Sequence, residues 1–222
     1  MIKKILLILL LSTSLCYAAN EDLSTYSEND PNGDISCTGE TCTISTMLLN
    51  IDAQCYKDYT ASHFGNFDID FTVDIGAQIG SGGYGGVLAL CETADYSISE
   101  AATANECLYV GYWSDSDTET WYMEDFESDN FESVADDNVT AARYFTFTRT
   151  GTTCTLNIYS DSGRSSHISG SPLTDTGCPT TSYRYLYVAM TAEAGGSISI
   201  DYAISGVNLN EAAATRRIIS IQ

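Results

Sequence analysis

The sequence predicts an all-β protein: a two-sheet antiparallel β-sandwich or jelly roll, stapled by disulfides. Three observations carry this expectation. Segments of strict period-2 alternation recur along the chain, as where Phe67, Ile69, Phe71, Val73 and Ile75 interleave with Asp68, Asp70, Thr72 and Asp74, and such alternation marks a strand with one buried face. Turn signals separate these segments roughly every 8–15 residues, and helical periodicity is almost absent. Cysteines end or begin apolar runs, where a bridge can span a strand pair.

Residues 1–18 read as a secretory signal peptide. Lys3 and Lys4 precede the apolar run Ile5 to Leu11, and small residues lead to Ala18; the run is too short for a membrane span. Leu15, not a small residue, precedes Cys16, which argues against a lipid anchor there. The mature chain is therefore expected to be secreted, or periplasmic or cell-surface if the source is Gram-negative. Residues 19–43 read as an irregular acidic lead-in around Asp30-Pro31-Asn32-Gly33-Asp34. The β-sandwich domain is expected over 44–209, with a first strand from Ile44 to Ile51 and a C-terminal tail at 210–222.

Within the domain, Gly76 to Gly86 holds six glycines. No Lys-Ser/Thr follows, so this is a strand connection and not a phosphate loop. Val87 to Cys91 and Leu108 to Trp113 read as strands, Glu92 to Glu106 has room for one helical turn, and Trp121 to Phe126 is extended. Tyr144 to Thr150 and Cys154 to Ser160 form a hairpin across a Gly151 turn, with Phe145 and Phe147 facing Leu156 and Ile158. Tyr183 to Leu209 reads as a second hairpin across Gly195-Gly196. Leu186, Val188 and Met190 share its apolar face with Ile198, Ile200, Tyr202 and Ile204, and Tyr183, Tyr185 and Tyr187 lie on the other. The expected total is about eight to eleven strands, as in a sandwich.

The formal charge is −21. Loss of Lys3 and Lys4 leaves seven basic residues against 30 acidic ones, a charge of −23, with Lys57 as the remaining lysine. Such a surface repels nucleic acid and anionic membranes, so neither is an expected partner and no membrane insertion follows. Seven cysteines remain after the signal peptide. Export makes disulfides the default, with Cys91 to Cys107 and Cys154 to Cys178 as the expected pairs. Cys37, Cys42 and Cys55 allow one bridge and one thiol left over, either buried or linked to another chain.

The strand order Phe67-Asp-Ile-Asp-Phe-Thr-Val, Val87-Leu-Ala-Leu, Leu108-Tyr-Val-Gly-Tyr-Trp, Tyr144-Phe-Thr-Phe-Thr-Arg-Thr-Gly, Cys154-Thr-Leu-Asn-Ile-Tyr, Leu186-Tyr-Val-Ala-Met and Ile198-Ser-Ile-Asp-Tyr-Ala-Ile resembles the concanavalin A-like lectin/glucanase superfamily in its laminin G-like branch. The resemblance spans about Ile44 to Leu209. It implies a jelly roll and a choice among lectins, carbohydrate-binding modules, adhesion domains and glycosidases, which fold does not make. Glycosidases of that superfamily carry a Glu-x-Asp-x-Glu strand. Here Asp68-Ile-Asp70-Phe-Thr-Val-Asp74 has Asp for Glu and a displaced third acid, so hydrolysis is not expected.

The chain's two histidines, His63 and His167, join no nucleophile motif. The richest cluster is Tyr112-Trp113-Ser114-Asp115-Ser116-Asp117-Thr118-Glu119-Thr120-Trp121-Tyr122. Aromatic faces stack on sugar rings while carboxylates accept their hydroxyls, so Trp113, Trp121 and Tyr122 are candidate ligand-binding residues. Asp115, Asp117 and Glu119 at alternate positions are candidate calcium ligands; both tryptophans would equally suit a core. Tyr183, Tyr185 and Tyr187 offer a second platform, with packing against another sheet as the alternative.

The resulting expectation is a secreted, non-catalytic, lectin-like module that binds a glycan or other cell-surface ligand. It requires no cofactor, with calcium as the one ion the acidic loop suits. The alternatives are a self-assembling structural or adhesive surface protein and a divergent glycoside hydrolase. Asn138-Val139-Thr140 is a glycosylation acceptor in a eukaryotic source.

Overall fold

A computed structural model of the protein describes residues 19–48, 53–79, 83–94, 104, 106–115, 118–136, 141–191 and 199–210. The expected signal peptide, the Gly195-Gly196 turn, Asp117, Asn138 and residues 211–222 lie outside the described residues.

Among the described residues, fourteen strands form two antiparallel sheets of seven. The first sheet runs β1 (Ser27–Asn29), β4 (Gln54–Asp58), β13 (Tyr185–Met190), β6 (Gly83–Cys91), β7 (Cys107–Asp115), β8 (Thr118–Asp125) and β9 (Asn130–Ala135). The second runs β12 (Leu173–Asp175), β11 (Thr153–Tyr159), β10 (Arg143–Thr150), β5 (Phe67–Ile79), β14 (Ser199–Leu209), β3 (Thr41–Leu48) and β2 (Ile35–Thr38). This is the disulfide-stapled all-β sandwich that alternation predicts, with more strands than the eight to eleven expected.

Alternation decides which side chains meet between the sheets. Phe71 and Val73 of β5, Phe145 of β10 and Ile158 of β11 point inward and pack in one core with Leu90, Val110 and Leu186 of the first sheet. Phe145 stands opposite Ile158 and Phe147 opposite Leu156, the pairing expected of that hairpin. Phe71 stacks on Phe145 with ring centroids 4.7 Å apart. Each large side chain buried in this way contributes about 1.5–3 kcal/mol.

The hairpin expected over Tyr183 to Leu209 does not form. β13 lies in the first sheet between β4 and β6, and β14 in the second between β5 and β3. Crossing from one sheet to the other lets the apolar sets of both strands enter the same core from opposite sides, whereas a hairpin would line them up on one sheet. A register shift between Tyr187 and Ala189 also breaks the alternation of β13. Val188 and Ala189 both join the core, and Met190 packs with Tyr187 on the far side.

The region read as an irregular lead-in supplies β1, β2 and the start of β3. Asp30 organises the turn between the first two: its carboxylate accepts the backbone N–H groups of Gly33 and Asp34 at 3.0 Å and of Ile35 at 2.8 Å. Gly33 takes φ +77° there, which a side chain would resist. Most of Gly76 to Gly86 is likewise strand, divided between the end of β5 and the start of β6. Disulfides join Cys37 to Cys42, Cys91 to Cys107 and Cys154 to Cys178, and Cys55 is a buried free thiol.

Candidate functional site

A second apolar cluster is made of first-sheet residues and the turn residue Phe126, and it covers the face turned away from the core. Tyr109, Tyr122 and Tyr187 belong to it, with Tyr56 and Tyr185 packed against them. Strand register explains the alignment. Tyr56 stands opposite Tyr187, Tyr187 opposite Ala89, Ala89 opposite Tyr109, Tyr109 opposite Glu124 and Glu124 opposite Phe131. Directly opposed residues share a face, so one line of side chains crosses from β4 to β9.

Two glycines let the rings lie flat on the sheet. A Cβ on Gly111 would fall against the Tyr109 hydroxyl and Tyr122 Cζ, and one on Gly86 would sit 2.7 Å from the Tyr109 ring. Only hydrogen fits at these positions. The Tyr109 and Tyr122 hydroxyls hydrogen-bond to each other, and Tyr187 Oη donates to the carbonyl of Thr93, two residues beyond β6, at 3.3 Å.

Among the described residues, two large hydrophobic side chains on the face stay open to water: Trp113 is 40% exposed and Phe131 is 49% exposed. Phe131 rests on Tyr122 with centroids 5.2 Å apart. Strand spacing and rise per residue place the two positions about 16 Å apart. Glu124 is half-buried between Tyr109 and Phe131. Burial pushes its carboxyl up to about 7, with the negative charge of Asp129 adding to the effect. The arrangement is an amphipathic strip: buried tyrosines between two exposed rings, with a half-buried carboxyl raised toward neutrality beside one of them.

Of the six aromatic residues singled out in the sequence, Trp113, Tyr122, Tyr185 and Tyr187 lie on this face. Trp121 does not. The β7–β8 hairpin pairs Trp113 with Thr120 and Trp121 with Tyr112; the tryptophans are thus one register place apart, and adjacent places face opposite sides. Trp121 is fully buried and its Nε1 donates to Asp136 Oδ2 at 2.9 Å. The same carboxylate receives Arg143 through Nε and Nη2, each at 2.7 Å, so a paired buried charge holds the indole in the core. Tyr183 is also core. It precedes β13, bridges to Phe64 and lies against the Arg149 guanidinium, 5.1 Å from its ring. Burial raises its phenol pKa. Tyr185 meets Tyr56 edge-on at 5.9 Å, and the Arg184 guanidinium covers its ring at 5.0 Å while binding Asp58.

Asp115 pairs with Thr118 and Glu119 with Ser114 at the end of the hairpin, while Asp117 lies outside the described residues. The β5 carboxylates belong to the outer face of the other sheet. Asp70 accepts from Thr146 Oγ1 at 2.6 Å and pairs with Arg164 at 3.4 Å. His63 stacks on Tyr59 and His167 lies tilted against Tyr159, both histidines exposed.

Sequence reasoning passed over Tyr109, Glu124 and Phe131. The signal for the first two was present: Tyr109 alternates with Trp113 through Gly111, and Glu124 alternates with Tyr122. Phe131 lies in β9, which carries no alternation worth reading. A cavity of about 620 Å³ opens at one end of the sandwich between His63, Asp68, Arg149 and Asn210. Its polar groups are already engaged, since Arg149 donates to the Phe64, Gly65 and Pro179 carbonyls and Asn210 to Asp68 and Asp70.

No protein-family model matches this sequence, and no curated protein does. Solved structures share its fold. Alginate lyase PA1167 from Pseudomonas aeruginosa is similar over 85% of this chain and 99% of its own, at 10% identity and a TM-score of 0.54. The exoplasmic/lumenal domain of VIP36, in a Ca2+/Man2-bound form, is similar over 86% of this chain and 87% of its own, at 7% identity and a TM-score of 0.50. Trypanosoma rangeli sialidase in complex with 2,3-difluorosialic acid matches 83% of this chain at 10% identity and a TM-score of 0.51, and the chain spans 27% of that protein's length. What this chain has in common with the lyase and the VIP36 domain is the fold, a β-sandwich of two antiparallel sheets.

Proposed function

We propose that the protein is an exported, non-catalytic, lectin-like module that binds a glycan at the margins of the outer face of the first sheet, where Trp113 and Phe131 are open to it. The observation that carries this reading is the placing of exposed Trp113 and Phe131 on a tyrosine-lined face, with half-buried Glu124 beside Phe131. Trp113 and Phe131 stack on sugar rings, and Glu124 exchanges hydrogen bonds with hydroxyls. The named ligands of similar structures support the class, since one is an alginate lyase and another was solved with Man2. Export is supported by three disulfides, and no helix among the described residues is long and apolar enough to cross a membrane.

Affinity electrophoresis through gels containing a panel of polysaccharides tests the proposal. At least one polymer should retard the protein, Trp113→Ala and Phe131→Ala should each abolish most of the retardation, and Asp70→Asn on the other sheet should leave it unchanged. Retardation that survives both aromatic substitutions would place the ligand elsewhere. Calcium assistance through Asp115, Asp117 and Glu119 belongs to the same reading: chelator should weaken retardation of the wild type and not of Asp117→Asn.

One observation favours a second reading. A carboxyl near pH 7 beside a pair of hydrogen-bonded tyrosines can give or take a proton, which suits a polysaccharide-cleaving enzyme. Incubation with the same panel should release no reducing ends. Release that disappears in Glu124→Gln would replace the binding reading by the enzymatic one.

A further inference from the structure

The unpaired Cys55 thiol does not stand alone. Its Sγ lies 3.5 Å from Cys37 Sγ, and the sulfurs of Cys37, Cys42 and Cys55 all fall within 4.8 Å of one another. Cys37 is already bonded to Cys42 across the β2–β3 hairpin of the second sheet, whereas Cys55 sits on β4 of the first. Cys55 is fully buried in the core the two sheets share. A thiol in van der Waals contact with a disulfide sulfur has the one partner its chemistry needs, because exchange proceeds by attack of a thiolate on a disulfide.

We propose that Cys37, Cys42 and Cys55 form a thiol–disulfide exchange triad in which the bridge moves from Cys37–Cys42 to Cys37–Cys55. In the step, Cys55 loses its proton and its sulfur attacks Cys37 Sγ. The Cys37–Cys42 bond breaks, its electron pair stays on Cys42 Sγ, and Cys42 takes up a proton. One S–S bond forms as one breaks, so no oxidant or reductant is consumed. The consequence is topological. A bridge closing five residues within one sheet becomes a bridge closing 18 residues between the two sheets, and the free thiol passes from β4 to β3. Burial, with the charges of Glu28 and Asp30, holds the Cys55 thiol up at about 12, so at neutral pH the thiolate is scarce and the hairpin bridge persists.

The test uses the oxidised full chain, held folded at pH 9 and quenched with acid at intervals. It is then unfolded with N-ethylmaleimide, without reductant, and its peptides are mapped. At the start the label should fall on Cys55. With time it should move in part to Cys42, matched by a Cys37–Cys55 linked peptide, and a Cys42→Ser variant should show that linkage with neither thiol labelled. The wild-type time course decides. Label that remains wholly on Cys55 for a day overturns the proposal, and label that moves to Cys37 overturns the route by showing attack on Cys42.

Discussion

The outer faces of the two sheets are built from the same alternation and have opposite characters. On the second sheet the outward places hold Asp68, Asp70, Thr72 and Asp74 of β5 and Tyr144, Thr146 and Thr148 of β10, exposed or half-exposed and joined by contacts such as Thr146 to Asp70. On the first sheet they hold Tyr109, Tyr122 and Tyr187, at most 3% exposed, with Trp113 and Phe131 open at the margins. A solvated face needs only polar side chains. Tyrosines buried outside the core need contacts of their own, and the hydrogen bond from Tyr187 to the Thr93 carbonyl is one. On the proposed reading the site belongs to the first sheet, and the β5 carboxylates lie on the outer face of the other sheet.

The largest effect expected from this contrast is on stability. Tyr109→Ala should cost about 3–5 kcal/mol in denaturant unfolding, as for other large buried rings, while Thr146→Ala on the opposite face should cost about 1 kcal/mol or less. Equal costs would mean that the two faces are not different. A smaller effect separates two glycines. Gly111→Ala should cost about 1–3 kcal/mol by forcing Tyr109 and Tyr122 off the sheet, whereas Gly76→Ala on β5 meets Asp201 Cβ at 3.1 Å and should be milder.

Smaller still is a pH dependence carried by Glu124. Its carboxyl ionises near 4.3 in an unfolded chain and near 7 in the folded one, so the folded state holds the proton more tightly. The resulting stabilisation is complete below about pH 4 and is lost as the pH rises through 7. Glu124→Gln should therefore become more stable relative to the wild type over that interval. The gain should be on the order of 1 kcal/mol, below the full worth of the shift because the group is partly in water. Thermal melts of both proteins at pH 4 and pH 8 measure it. Least of all, Phe131→Ala should change stability by less than about 0.5 kcal/mol while weakening glycan retardation, which distinguishes a ligand platform from a structural ring.

The β7–β8 hairpin shows how far the sequence could be read. Both tryptophans flank the acidic turn, and proximity in the chain made them look like one site. The sum of paired residue numbers in an antiparallel hairpin is constant, so Trp121 opposes Tyr112 and Trp113 opposes Thr120. A known turn length would have separated the tryptophans at once, but the run Ser114 to Thr120 does not announce which residues form the turn. Glu124 had a readable place two residues beyond Tyr122. Its special environment comes from Tyr109 and Phe131 on neighbouring strands, and no local pattern names a neighbour.

The sequence by itself determined the all-β class and the inward and outward sets of β5, β10 and β11, because side-chain alternation is a property of one strand's backbone. The tertiary structure alone decided that β13 and β14 part company between sheets, that Tyr183 is core while Tyr187 is not, and that three cysteines from both sheets meet. The physical reason is common to all three. Each depends on which strand lies beside or across from another, and that choice is made by closing one core between two sheets, a non-local condition that many pairings of the same alternating strands would satisfy on paper.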